Sequence, residues 1–277
     1  MLSRMPEFVR ILSAADPRLA PYAGLREREL RTLPDARQAR LFVAEGRLVF
    51  ERLLESRHRV RSLFVSEERL PELEPLLARL DARVPVLVAE RELHERTSGI
   101  AFHQGLLALG EAAPDPTLAE LAASSSRLVV LESVHNHDNI GTVLRNLAAL
   151  CGAGAGLVLD PRCADPLYRK SIRVSMGWAL ALPSARAESW PGALAELQRA
   201  GFRVLALTPR ADARELGQLS RTQAKLALLL GSEGPGLSQE ALAAADLHVR
   251  IALAPGVDSL NLASACAIAL HALSTPR

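Results

Sequence analysis

The sequence predicts an α/β protein, with a largely parallel, helix-flanked sheet in its C-terminal half and a smaller α/β/α domain before it. Three observations carry that expectation. From residue 127 onward, short apolar, β-branched runs alternate with stretches whose apolar residues recur at helical spacing, the order that parallel βαβ units require. Hydrophobic residues make up 49% of the 277, enough for a sizeable core and far from a disordered composition. Between residues 111 and 126, Pro114, Pro116 and the run Ser124, Ser125, Ser126 interrupt periodicity and mark a boundary.

Residues 1–110 hold strand candidates at 41–43, 62–65, 84–88 and 105–109, with helical stretches at 47–55, 72–80 and 90–97 between them. About a hundred residues alternating in this way suit one small α/β/α domain. Residues 111–126 read as a linker, with a helical turn at 118–122. In residues 127–277 the first strand is 128–131, and Ile140, Val143, Leu144 and Leu147 share one face of a helix over 140–151. Gly152, Gly154 and Gly156 follow that helix and precede a strand at 156–159, which makes them an αβ turn. A helix at 166–174, a strand at 179–182, a helix at 190–200 and a strand at 203–207 continue the pattern. The apolar run 226–230 is the next strand, followed by a helix at 238–244 capped by Ser238, a strand at 248–252 and an apolar helix over 259–272.

Composition excludes several classes. A net charge of +2 gives no bulk electrostatic argument for nucleic acid. Only Lys170 and Lys225 among the 33 basic residues are lysines, as a GC-rich coding bias produces. A local cluster, Arg162, Arg169, Lys170 and Arg173, falls on a loop and helix of the C-terminal domain, and is read equally as a solvated face or as an RNA-phosphate contact. Cys151, Cys163 and Cys266 are odd in number and form no CxxC pair, which fits a reducing compartment. The N-terminal residues lack the apolar centre of a signal peptide, and no apolar run approaches the ~20 residues that span a bilayer, so a cytoplasmic protein is expected.

The chemistry concentrates in three strand–polar turn–helix units. The first carries Asn139 near a helix N-cap and Arg145 about one and a half turns further on, an amide and a guanidinium at the mouth of a sheet. The second runs Gly231-Ser-Glu233-Gly234-Pro-Gly236 directly after a buried strand. The third places Ser259-Leu260-Asn261 at the opening of the last helix. Taken singly, Asn139, Ser259 and Asn261 are explained as helix-end residues and Glu233 as a turn carboxylate. In this order, Asn139-x-Gly141-x-x-x-Arg145, Gly231-x-Glu233-Gly234-x-Gly236 and Ser259-Leu260-Asn261 together resemble the signature motifs of the SpoU/TrmH branch of the SPOUT RNA 2′-O-methyltransferases.

That resemblance implies an α/β fold whose C-terminal segment threads a deep trefoil knot, an exception to ordinary connectivity. It implies S-adenosyl-L-methionine as cofactor, held by Gly231, Gly234, Ile251, Gly256 and Leu260, and a homodimer formed by the C-terminal domain. It also implies catalysis by Arg145 with Asn139, Glu233, Ser259 and Asn261, on a ribose 2′-OH of structured RNA. A guanidinium stays protonated at neutral pH, so Arg145 is read as stabilising the developing alkoxide and gripping a phosphate. Two departures stand out: His137-Asp138 where Asp-Pro commonly precedes the motif-one Asn, and Leu253-Ala254-Pro255-Gly256 where Pro-Met-x-Gly is common. Phe42-Val43-Ala44-Glu45-Gly46 and Phe102-His103-Gln104-Gly105 resemble, more loosely, the opening and closing of an L30e-like RNA-binding domain. Members with that domain more often modify rRNA, which favours rRNA of the 23S type over tRNA.

Rival chemistries fare worse. The Gly152–Gly156 run has the reverse order of a dinucleotide fingerprint, and no Gly-Lys-Ser/Thr follows the Gly231 turn. His135-Asn-His137-Asp138 could start a zinc site, but the other histidines are not spaced to complete it, so no metal is expected. A catalytically inactive RNA-binding protein of the same fold would not require the whole polar set.

Overall fold

The computed structural model describes residues 6–25, 30, 39–99, 105–152, 154–219 and 224–273. The chain divides into two compact units, Met1–Pro114 with Leu167–Ala181, and Asp115–Pro166 with Leu182–Arg277.

The first unit is built on a mixed five-stranded sheet of β1 (Phe8–Arg10), β2 (Leu41–Glu45), β3 (Arg59–Ser66), β4 (Val86–Ala89) and β5 (Leu106–Glu111), ordered β1-β4-β3-β5-β2. β5 runs antiparallel to both neighbours, and the other pairs are parallel. Helices α1 (Arg47–Glu55), α2 (Leu70–Leu77) and α3 (Arg91–Ser98) follow the expected periodicities with ends moved by at most three residues. β1 is new, because three residues are too few to show a period. A 3₁₀ stretch, Pro17–Leu25, also escaped prediction. It buries Tyr22 completely, with the phenol hydrogen-bonded to Ser62 Oγ at 2.6 Å and the ring 5.4 Å from Phe64. Phe102, His103 and Gln104 of the looser resemblance lie outside the described residues, as do the first five of the N-terminus.

The second unit carries a seven-stranded, all-parallel sheet: β6 (Arg127–Glu132), β7 (Ala155–Leu159), β8 (Ser184–Arg186), β9 (Arg203–Leu207), β10 (Arg214–Glu215), β11 (Leu226–Gly231) and β12 (Leu247–Arg250), in the order β10-β12-β9-β11-β6-β7-β8. Its inner strands β6, β7, β9 and β11 are mostly Val, Leu and Ala and largely buried, as parallel strands between helices must be. α4 (Leu118–Ser124) begins with a capping box between Thr117 and Glu120 and buries Leu121 and Ala122 in the same core as Leu128 and Leu194. Residues 115–126, read as linker from the sequence, therefore belong to this unit. α5 (His137–Cys151) packs its Ile140, Val143, Leu144 and Leu147 face inward.

Leu167–Ala181 depart further from expectation, since they group with the first unit. α6 (Arg169–Val174) lies against β2, where Arg169 Nη1 meets Glu45 Oε2 at 2.7 Å. α7 (Trp178–Ala181) replaces the strand expected at 179–182. Its Trp-Ala-Leu-Ala sequence favours helix once the indole is covered, and the Arg52 guanidinium of α1 stands 4.4 Å over that ring. The strand begins only after Pro183, as β8. The remaining helices are α8 (Gly192–Arg199), α9 (Gln239–Ala244) and α10 (Leu262–Leu273).

Candidate active site

In an open parallel sheet the ligand crevice lies beyond the carboxyl ends of the strands. There, the loops leaving the adjacent strands β9, β11 and β12 enclose a cleft of about 410 Å³. β9 contributes Leu207, Thr208 and Pro209, and β11 contributes Leu230 and the backbone of the glycine turn from Gly231 to Gly236. The segment after β12 adds Ile251, Leu253 and Asp258 to Leu260, and α10 closes the floor with Leu262 and Ala265.

The glycine turn folds back on itself. Ser232 and Gly236 pair as an antiparallel bridge, with Gly236 N donating to Ser232 O at 3.1 Å. A side chain on Gly231 would meet the carbonyl carbon of Gly236 at 2.2 Å, so only glycine admits this closure. Glu233 stands at the exposed tip, and Asn261 ties it to the rest of the site. Asn261 Nδ2 donates to Glu233 Oε1 at 3.0 Å and to Asn139 Oδ1 at 3.1 Å. Asn261 Oδ1 accepts from Ala263 N and Ser264 N at 3.0 and 3.3 Å, capping α10. Every hydrogen-bonding position of this amide is thereby used.

These contacts revise the local sequence reading. The cap of α5 is Asn136, whose Oδ1 accepts from Asp138 N at 2.8 Å; Asn139 lies in the first turn and is buried. The last helix opens at Leu262 with Asn261 as its cap, so Ser259 is not a capping residue and lies exposed on the cleft wall. Among the described residues, no three His, Cys, Asp or Glu side chains stand together as metal ligands. Burial pushes the Cys163 thiol up to about 12 and also raises Cys266, so neither supplies a thiolate at neutral pH.

A model of the SpoU rRNA methylase family matches residues 126–271, the span that carries this cleft and the three motifs. The chain belongs to that family. It is thus an RNA methyltransferase by class, and a similar protein is an uncharacterized tRNA/rRNA methyltransferase of Mycobacterium bovis, 40% identical over 92% of this chain and 88% of that one. Among solved structures, the AdoMet-bound rRNA methyltransferase of Sinorhizobium meliloti superposes with a TM-score of 0.81 at 26% identity, covering 96% of this chain and 97% of that one. A structure described as an RNA 2′-O ribose methyltransferase gives 0.74 at 26% identity, over 96% and 98% of the two chains.

Against this SpoU frame, the predicted residues fall into groups. Asn139, Glu233 and Asn261 form one hydrogen-bonded chain, and Glu233 reaches Asn139 only through Asn261. Gly231, Gly234, Ile251, Leu260 and Ser259 line the cleft, whereas Gly256 does not. Arg145 is exposed on α5 and shares no hydrogen bond or ion pair with a described residue of that chain. The basic cluster is divided between the two units. Arg162, in the second unit, pairs with Asp160 Oδ2 at 3.2 Å and lies 3.7 Å from Glu132 Oε1, while Arg169, Lys170 and Arg173 are in the first unit. Sequence reasoning missed Thr208, Ser232 and Asp258, which also line the cleft. The signal for Thr208 was available: Thr-Pro directly after a buried strand is the same strand-to-polar-turn pattern that marked the motifs.

Proposed function

We propose that this SpoU-family chain methylates a ribose 2′-OH of structured RNA, with rRNA of the 23S type as its substrate in preference to tRNA, using S-adenosyl-L-methionine. The observation that carries the reading is Asn261, which links the buried Asn139 to Glu233 at the lip of a glycine-walled cleft. The cleft suits the cofactor: its volume is of the size that ligand pockets have, about 300–1,000 Å³. Leu207, Leu230, Ile251 and Leu260 offer apolar walls to a purine, and the glycine backbone lets a ribose approach closely. When bound, the cofactor supplies a methyl group on a sulfonium.

The protein's own groups then act by positioning. Asn261, fully bonded, fixes the orientation of the Asn139 amide and leaves Asn139 Nδ2 to donate to a ribose oxygen. Glu233, bound to Asn261 through Oε1, keeps Oε2 as a further acceptor. Arg145 presents its planar fork of donors to the phosphate and to the alkoxide that forms as the 2′-OH loses its proton. Lys170 and Arg173, on exposed positions of α6, are the cations of the cluster offered to RNA phosphates on that helix. The first unit, read as L30e-like, recognises RNA shape through its arginines.

The same reading makes the protein a cytoplasmic homodimer, with the knotted threading of the family in its C-terminal segment. Val257, Leu260 and Ile268, all in the C-terminal segment, are 50%, 38% and 43% exposed, an apolar set that a second copy would cover. Among the described residues no helix is long and apolar enough to cross a membrane. The test is to map ribose methylation in rRNA and tRNA from cells with and without the gene. One missing 2′-O mark in rRNA is expected; a mark lost only from tRNA overturns the substrate, and a lost base methyl overturns the 2′-O assignment. Sedimentation of the full chain at micromolar concentration should show a dimer, and a monomer would refute that part.

A further inference from the structure

Glu132 is an unusual residue for the end of a core strand. It closes β6, is 2% exposed, and would be costly there without partners. Its two oxygens are occupied by neighbouring donors: Ser238 Oγ at 2.6 Å and Trp190 Nε1 at 2.7 Å on Oε1, and Ser238 N at 2.9 Å on Oε2. Arg162 Nη2 lies 3.7 Å from Oε1.

The register explains why these contacts matter. In the β6–β11 ladder, Glu132 is the partner of Gly231. One residue therefore holds both ends of the glycine turn: its backbone position pairs with the residue where the turn begins, and its carboxylate grips Ser238, where the turn ends. Between those points lie Gly234 and Gly236, which give the free turn much conformational freedom to lose. Ser238 also caps α9, its Oγ accepting from Ala241 N at 3.2 Å. The grip on Ser238 is thus shared with a helix that is itself packed into the core through Ala241 and Leu242.

We propose that Glu132 is a positioning residue for the cofactor cleft, holding the turn from Gly231 to Ser238 closed so that its backbone forms the cleft wall and Glu233 meets Asn261. It touches no reacting atom and acts through Ser238. The inference rests on the cofactor reading above for its affinity arm and is independent of it for its dynamic arm.

Three variants of the full-length protein test it: Glu132→Gln, Ser238→Ala and Trp190→Phe. Glutamine keeps the shape but turns an acceptor oxygen into an NH₂ that cannot accept, so one of the three donors loses its partner. Calorimetry with S-adenosylhomocysteine should show affinity about tenfold weaker, the scale of one charge-assisted hydrogen bond. Ser238→Ala keeps the backbone donor and loses the hydroxyl, so an intermediate loss of roughly threefold is expected. Trp190→Phe removes the indole donor without touching Ser238 and should bind as the wild type does. In cofactor-free protein, amide hydrogen exchange across residues 232–238 should quicken in the first two variants while β6 stays protected.

A folded Glu132→Gln with wild-type affinity and wild-type exchange overturns the proposal. So does a Trp190→Phe that weakens binding as much as Glu132→Gln, because that would be a general packing effect. If Glu132→Gln does not fold, wild-type affinity and exchange in Ser238→Ala overturn it. A wild-type protein that does not bind S-adenosylhomocysteine at all would refute the cofactor reading instead, and the exchange measurement would still decide the role of Glu132.

Discussion

Replacing Gly231 with alanine is the sharpest probe of the cleft. The added methyl would lie 2.2 Å from Gly236 C, 2.3 Å from Gly236 O and 2.4 Å from Leu237 N, all of them backbone atoms. Non-bonded carbon contacts settle at about 3.5–4.0 Å, so the turn must retreat by more than ~1 Å. That retreat breaks the Ser232–Gly236 bridge. Overpacking of this kind costs about 1–3 kcal/mol and the lost hydrogen bond about 1 kcal/mol more. At 1.4 kcal/mol per tenfold, affinity for S-adenosylhomocysteine should fall by roughly thirtyfold or more. Gly156→Ala is the matched control. Its methyl would meet the side-chain atom Leu121 Cδ1 at 2.7 Å inside the core, away from the cleft, and should lower the melting temperature while sparing affinity. Calorimetric titration beside thermal melting reads both. A folded Gly231→Ala that binds within threefold of wild type would refute the claim that this backbone closure forms the pocket wall.

Arg145→Ala should keep cofactor affinity and lose methyl transfer by at least about a hundredfold, the scale of one transition-state donor; a fully active variant sinks the role given to the guanidinium. Asn261→Asp retains the cap oxygen of α10 but puts a carboxylate where an NH₂ now meets Glu233 at 3.0 Å, so turnover should drop at least tenfold with the melting temperature nearly unchanged, and unaltered turnover would count against the Asn139–Asn261–Glu233 chain. In RNA-binding titrations at several salt concentrations, Arg173→Ala should weaken binding and flatten the salt slope. Arg169→Ala should chiefly destabilise the first unit by about 1–2 kcal/mol, through its lost pairing with the mostly buried Glu45; the reverse pattern would refute the division. His94 is fully buried, stacked on Phe64 at 4.3 Å, and burial holds its imidazole below the usual range near ~6.5. The unfolded chain then binds the proton first, so stability should fall as pH drops below about 6.5, and denaturation at pH 7.5 and 5.5 should show that loss in the wild type and not in His94→Phe.

The motif residues were legible because each motif follows a strand, in the polar turn or at the opening of the next helix, and that succession is written in the local sequence. The same locality explains the errors. Asn136 and Asn139 are both plausible caps three positions apart, and only the folded chain, in which Asp138 N donates to Asn136 Oδ1, shows that Asn136 caps while Asn139 is buried. Residues 179–182 have the apolar look of a strand, but the Arg52 guanidinium that covers Trp178 comes from 126 positions earlier, beyond any periodicity.

By itself the sequence determined the type of the longer elements, the parallel character of the second sheet and the three motif turns, since these depend on local propensity and on burial patterns of period two or 3.6. The tertiary structure alone decided which partners those turns meet. Asn261 and Asn139 are joined across 122 positions because α10 packs on α5, and Glu132 reaches Ser238 across 106 because β6 and β11 are neighbours in the sheet. It also assigned Leu167–Ala181 to the first unit, so that Arg169, Lys170 and Arg173 belong to that unit and Arg162 to the second. Strand order and long-range packing are set by the free energy of the whole core, which no local window of sequence contains.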